Sequence, residues 1–392
     1  MKTYDWIVIG GGITGAAVGY ELATKGFSVL LLEQDATLQN ATRYSYGGLA
    51  YWSGTSELTR QLCQEGIEQH RKLSEELDAD TQFRELDLLL YIAADENPEQ
   101  LASDYAGFAI TPQFLSIEEA CELEPLLNPN AIAGALTVRH GHIHPEKTNQ
   151  AYCDAFRRAG GELKIDQVVE LLQKGDRIEA VKTPNQTYHA ANIVVCAGGF
   201  SRALLQAAGI PIRLYFTHAE MIQTPPIGFQ MRTLVMPANT QRFALEAKAS
   251  MPEIEPLWNQ PGQEPIPPIL DAGAVQFLDN SLRIGQISRV LTDPYAKVDS
   301  AASEAAIRTQ VGNLLPSLQE IPGTWHHCLV AFSCDRLPVV GALSSPENAY
   351  IFSGFTNPLV FVLPLAKRFA NWVVGQDDFI INQLSVSHRL LS

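Results

Sequence analysis

Gly10, Gly12 and Gly15 form a GxGxxG run between an apolar segment, Tyr4 to Ile9, and an amphipathic one, Ile13 to about Thr24. Glycines at that spacing suit a strand-to-helix turn that presses backbone N–H groups against a pyrophosphate. Gly10 permits the sharp turn, Gly12 the close approach of phosphate oxygens, and Gly15 the tight seating of helix on sheet. Ile13 and Thr14 open the helix and belong to the same cradle. Gly26 stops the helix, and a second apolar strand, Ser28 to Leu32, closes on Glu33 with Gln34 beside it. A carboxylate at that strand end can accept hydrogen bonds from both hydroxyls of an adenosine ribose, and it repels a 2′-phosphate. The run therefore predicts a dinucleotide site. By itself it does not separate FAD from NAD, which share the ADP half.

The elements that must position these residues follow from pattern. The N-terminus reads as a βαβ unit. A helix is predicted from about Ser56 to Leu77, another from the Ser116/Glu119 capping box up to Pro125, and a third from Pro145 to the stop at Gly160 and Gly161. Leu163 to Ala197 alternates as a hairpin turning at Gly175 and Asp176, then rises into a buried strand, Ile193 to Cys196. Pro211 to Arg289 reads as mostly β, interrupted by a surface loop from Pro252 to Pro268. Ser303 to Leu315 reads as helix, and the remainder as strand, turn and a helix through Ala366 and Trp372.

Composition narrows the class. The 392 residues are enough for two to three domains, and 46% hydrophobic with 18% charged residues is globular rather than disordered. A net charge of -15 repels nucleic-acid phosphates and anionic lipid. The apolar stretch Trp6 to Ala17 imitates a secretion signal, but Gly10 to Gly12 break it and an amphipathic helix continues it, so no signal and no membrane span are expected. Six cysteines without a CxxC pair fit a reducing cytoplasm.

Further motifs extend over nearly the whole chain. Ala41-Thr42-Arg43-Tyr44-Ser45-Tyr46-Gly47-Gly48-Leu49 is a small, polar, glycine-rich segment after the second strand. Leu115 to Leu127, Gly141-His142-Ile143-His144-Pro145, Ala197-Gly198-Gly199-Phe200-Ser201 and Asp335-Arg336-Leu337-Pro338-Val339-Val340-Gly341 follow in order. In sequence and spacing this set resembles the D-amino acid oxidase family of FAD-dependent oxidoreductases, the group of glycine oxidase, D-amino acid dehydrogenase and the sarcosine oxidases.

The resemblance implies an α/β two-domain fold. A discontinuous Rossmann-like FAD-binding domain would comprise 1–77, 140–210 and 320–392, and an inserted, mainly antiparallel β substrate domain 78–139 and 211–319. It adds cofactor contacts at Ala41, Thr42, Arg43, Gly47, Gly48 and Leu49, at Val168 against the adenine, at Ala197 and Gly198, and at Gly354, Phe355, Thr356, Asn357, Pro358, Leu359 and Val360. It implies oxidation of a CH–NH bond of a small amine or amino acid, hydride passing to flavin and electrons onward to O2 or a quinone. The alternative is a flavin-binding subunit with a degenerate substrate site.

Three departures bear on the substrate. Where the family commonly places a carboxylate-binding arginine this chain has Val330, and where sarcosine oxidases use lysine it has Phe361. The missing cations predict poor turnover of glycine, sarcosine and D-alanine compared with a larger or uncharged amine, unless Arg43 or Arg336 reaches the same space. Leu359 replaces a glycine behind a proline. Cys328 stands where the monomeric sarcosine oxidases bond flavin covalently, although its flanks differ and a buried, packed thiol is the plainer expectation. The candidate catalytic residues are Tyr46, as an aromatic wall or hydroxyl beside the ring, and His218, on a substrate-domain strand. The HGHIH run, His140 to His144, mimics a metal site but is read as a loop before a helix, and no metal is expected. Adjacent His326 and His327 should face opposite sides of a strand.

Overall fold

The computed structural model describes residues 2–239, 241–386 and 389. Two sheets organise the chain. In the first, Thr3–Ile9 lies parallel between Thr187–Val195 and Val29–Glu33; Glu162–Ile165 extends one side, and Ala349–Ser353 followed by Val339–Ala342 the other. The hairpin Glu170–Lys174/Arg177–Lys182 joins the edge of Thr187–Val195. Central parallel strands must be apolar on both faces, and Val29–Glu33 is buried throughout. Ile13–Thr24 packs between Pro145–Arg158 and Pro358–Val373, and Glu57–Glu76 backs the latter.

The second sheet has nine strands and is antiparallel except for one pair. Its order runs from Thr324–Ser333 through Leu214–Gln223, Leu282–Arg289, Ile269–Gln276, Leu234–Pro237 and Arg84–Ala93 to Ile132–His142 and Gly48–Leu49. One face packs on the helix Ser300–Leu314, where Ile307 and Val311 meet Ile222, Ile284 and Ile287. The opposite face carries Ala219, Met221 and Cys328, packed with Tyr44.

The predicted capping box forms at Ser116 and Pro145 is the first residue of its helix; Ser56, read only as a helix start, also makes a capping box, with Thr59. Three readings change. Thr324–Ser333, within the range expected for the first domain, hydrogen-bonds to Leu214–Gln223 in the second sheet. Pro252 to Pro268 is not simply a surface loop: it contains a helical turn, Glu255–Asn259, whose Trp258 is buried with Nε1–H donating to the Ala249 carbonyl at 2.8 Å. His140 and His142 end the strand Ile132–His142 rather than occupying a loop; only His144 stands outside it, as N-cap of the next helix.

Candidate active site

A continuous cavity of about 1860 Å³ runs from the glycine turn of the first sheet to the face of the second. Pockets for one small molecule usually hold roughly 300–1,000 Å³, so there is room for a dinucleotide and a substrate together.

At one end Glu33 is buried, its Oε2 accepting the Gly11 amide at 2.6 Å and its Oε1 the Asp35 amide at 3.0 Å. Burial raises its pKa, and those two amides oppose the shift. The carboxylate is thus clamped, and each oxygen keeps a lone pair for a ribose hydroxyl. Gln34 and Val168 line the same end.

At the turn, Gly10 has φ +104°, and a Cβ there would lie 2.6 Å from the Cys196 carbonyl oxygen. Gly12 is the helix N-cap and has no side chain to cap with; Thr42 Oγ1 accepts the Ile13 amide at 2.9 Å. Among the described residues the Gly12 and Thr14 amides have no protein acceptor. Gly198, at φ +53°, lines the same cavity, with open space where a Cβ would stand. Free amides at an uncapped helix N-terminus beside two side-chain-free positions fit a pyrophosphate.

Beyond the turn, Ala41, Thr42, Tyr46 and Gly48 form one wall, and Gly354, Phe355, Thr356, Asn357, Pro358 and Leu359 another. Gly354 to Asn357 is a loop, and Pro358 starts a 16-residue helix. The Asn357 side chain does not cap it, donating instead to the Ala50 carbonyl at 3.1 Å. An uncapped, partly positive helix end suits the electron-rich pyrimidine edge of a flavin.

Five residues expected at the cofactor stand behind the wall. Gly15 serves packing, since a Cβ there would lie 1.8 Å from the Gly10 carbonyl oxygen. Arg43 turns away, Nη1 donating to the Leu38 carbonyl at 3.1 Å and Nε 3.8 Å from Glu146. Gly47 makes a turn at φ +74°, its carbonyl accepting the Ile143 amide. Leu49 and Val360 are fully buried in the core of the first domain, Val360 against Gly66.

Tyr46 reaches the cavity, and its buried hydroxyl has no hydrogen-bond partner in the protein. Burial holds the phenol protonated, far above its ordinary range. His218 does not share that wall. Residues 218, 220 and 222 alternate to the helix-covered face of the sheet, whereas 219 and 221 share a face with Cys328. His218 stacks on His327 at 4.4 Å, with Nδ1 3.5 Å from Glu220 Oε1, and these three residues also line the cavity. His326 faces the other way and stacks on Tyr44 at 4.7 Å. His140, on the cavity wall, accepts the Trp52 indole N–H at 3.0 Å, and burial lowers its pKa to about 3. Among the described residues no cluster of His, Cys, Asp and Glu is arranged to hold a metal.

Val330 and Phe361 do line the cavity, as does Cys328, whose thiol is pushed up to about 12 by burial. Sequence reasoning missed Arg242 and Asp271. Both face the cavity, Arg242 from the helix Gln241–Ala249 and Asp271 from the strand Ile269–Gln276. Burial raises Asp271 to about 6, and Arg242 opposes that shift. The signal for that helix was present: Arg242 and Glu246 stand one turn apart in an alanine-rich stretch.

The parallel sheet, glycine cradle and clamped acid define a dinucleotide-binding protein with a second sheet roofing its ligand. The family model for FAD-dependent oxidoreductases, DAO, matches residues 5–372, and the chain belongs to that family, whose cofactor is FAD. It is 27% identical over 378 residues to 4-methylaminobutanoate oxidase (formaldehyde-forming) from Paenarthrobacter nicotinovorans, covering 94% of this chain and 43% of the relative. It is 26% identical over 234 residues to glycine oxidase from Geobacillus kaustophilus, covering 57% and 62%. The chain thus spans about half the length of these curated relatives. The crystal structure of G. kaustophilus glycine oxidase superposes with a TM-score of 0.80 at 20% identity over 98% of each chain. That of L-proline dehydrogenase from P. horikoshii gives 0.76 at 18% over 99% of this chain and 98% of that one. Among the described residues no helix is long and apolar enough to cross a membrane.

Proposed function

We propose that the protein oxidises a CH–NH bond of a small amine or amino acid, with non-covalently held FAD as the acceptor. The observation that carries this reading is that the cavity lined by the glycine turn and Glu33 is also lined by Tyr46, Val330, Phe361, Arg242 and Asp271, more wall than a dinucleotide alone needs. A protein that only stored flavin would have no need of that space. When bound, FAD supplies the acceptor for the hydride, and the imine product hydrolyses in water.

The chain's own contribution is placement and dryness. Gly10 to Thr14 and Glu33 hold the adenylate half. Val330, Leu359 and Phe361 exclude water from the reacting carbon and strengthen the polar contacts beside it. Tyr46, kept protonated by burial, offers an unpaired O–H donor. Asp271, which accepts no hydrogen bond among the described residues, is the acid group available to take the proton of an incoming ammonium.

Anaerobic addition of a panel of primary and secondary amines to the yellow holoprotein tests this reading. Saturable bleaching of the oxidised flavin band by at least one amine is expected. Flavin that no amine bleaches, while dithionite still does, would overturn the reading in favour of a flavin-binding subunit.

A further inference from the structure

We propose that Arg242 is the anion anchor of the substrate chamber, so that the substrate is an amine carrying a carboxylate; this rests on the amine-oxidising reading above. Two positions on the walls of the chamber, Val330 and Phe361, carry no charge. Arg242 enters it from another element. Its Nε donates to Glu246 Oε1 at 3.0 Å, and Glu246 is 1% exposed, so a buried acid fixes the plane of the guanidinium. No described residue accepts from its Nη1 or Nη2. A guanidinium held by one edge, with the other edge free in a half-buried chamber, is preorganised for a bidentate carboxylate.

The position is right as well as the valence. Arg242 lines the cavity together with Asp271, Cys328 and Val330, and its charge opposes the effect of burial at Asp271 and, after that of Arg283, at Cys328. Cys328 and Val330 are two residues apart on one strand and so project from the same side. Asp271 presents the opposite charge in the same chamber, and together the two match the ends of an amino acid. The other candidates are less well placed. Arg336 and Lys297 also line the cavity, but no described acid fixes either one, and Arg336 is exposed with its guanidinium 4.2 Å over the Phe243 ring; Arg43 faces Glu146 and does not line the cavity.

The test uses FAD-loaded protein and two non-reacting probes, butanoate and 1-butanol, titrated by the change each makes in the flavin absorbance band. Wild type should bind butanoate saturably and more tightly than 1-butanol. Arg242→Gln should weaken butanoate by roughly ten- to a hundredfold, the scale of a lost charge-assisted pair, and leave 1-butanol unchanged. Arg242→Lys should recover part of the loss, since it restores the charge without the fork. FAD content and melting temperature establish that each variant is folded, and the lysine variant serves if glutamine is not tolerated. Unchanged butanoate affinity in Arg242→Gln overturns the proposal, as does equal weakening of both probes, or a loss that follows Arg336→Gln instead. The two readings fail separately. Equal bleaching of wild type and Arg242→Gln by 4-methylaminobutanoate sinks the anchor and keeps the amine chemistry. Butanoate binding that depends on Arg242, with no amine bleaching the flavin, keeps the anchor and sinks the chemistry.

Discussion

Substituting alanine for each of two glycines of the first helix separates a cofactor cradle from an ordinary helix contact. At Gly15 a Cβ would stand 1.8 Å from the Gly10 carbonyl oxygen and 3.3 Å from Cys196 Cβ, where ordinary contact begins at 3.4 Å. The obstructing atom is backbone, so the helix must withdraw by more than an ångström and carry the Ile13 and Thr14 amides with it. Overpacking typically costs about 1–3 kcal/mol, and a rigid obstacle puts Gly15→Ala at the upper end. Replacing glycine in a helix returns about 1 kcal/mol. The net loss is about 2 kcal/mol of folding stability, and FAD affinity should fall as well because the displaced Ile13 and Thr14 amides no longer meet the pyrophosphate. At Gly19 the new Cβ would meet Leu31 Cδ1 at 3.4 Å and Phe156 Cε2 at 3.5 Å, both ordinary contacts. Gly19→Ala should therefore bind FAD as wild type does and melt no lower. Fluorescence titration of the apoproteins with FAD, beside thermal melts, provides both readouts. Wild-type FAD affinity in Gly15→Ala would refute the argument that this packing distance sets the pyrophosphate site.

Three other outcomes are expected. Glu33→Ala removes a charged acceptor and leaves the Gly11 amide unpaired, so FAD affinity should fall by roughly 1.5–3 kcal/mol with the visible band unmoved; full retention of FAD on dilution would show that Glu33 does not touch it. Asp271 titrates near 6 when folded and about 3.9 when unfolded, so the folded state holds the extra proton between those values and stability falls as pH rises from about 4 through 6. Asp271→Asn should melt higher than wild type above pH 6 and lose that advantage near pH 4; parallel melting curves across this range would contradict the assignment. Acid precipitation should release intact FAD, because burial keeps Cys328 as an unreactive thiol. Flavin that stays with the precipitate, and is freed in Cys328→Ser, would show a covalent link.

What could be read early and what could not divides by the range of the interactions. The turn at Gly10 to Gly15, the acid at Glu33, the capping box at Ser116 and the proline at 145 depend on neighbours a few residues away. Each was legible without coordinates. The face His218 takes could not be read, because a lone histidine on a strand carries no mark of it; burial of Ile222 against Ile307 and Val311 decides that. Leu49 and Val360 were taken for cofactor contacts because they adjoin true wall residues, and periodicity turns each away from its neighbour. Arg242 was missed because Gln241–Ala249 is short and lies in a stretch otherwise rich in β structure.

The sequence by itself determined the dinucleotide turn, its acidic partner, the family and the apolar character of Val330 and Phe361, because these are written in residue type and local spacing. Only the tertiary structure decided which charge serves the substrate chamber. That charge comes from a helix more than eighty residues before Val330, and its free guanidinium edge exists only because Glu246 holds the other one and the second sheet closes over both.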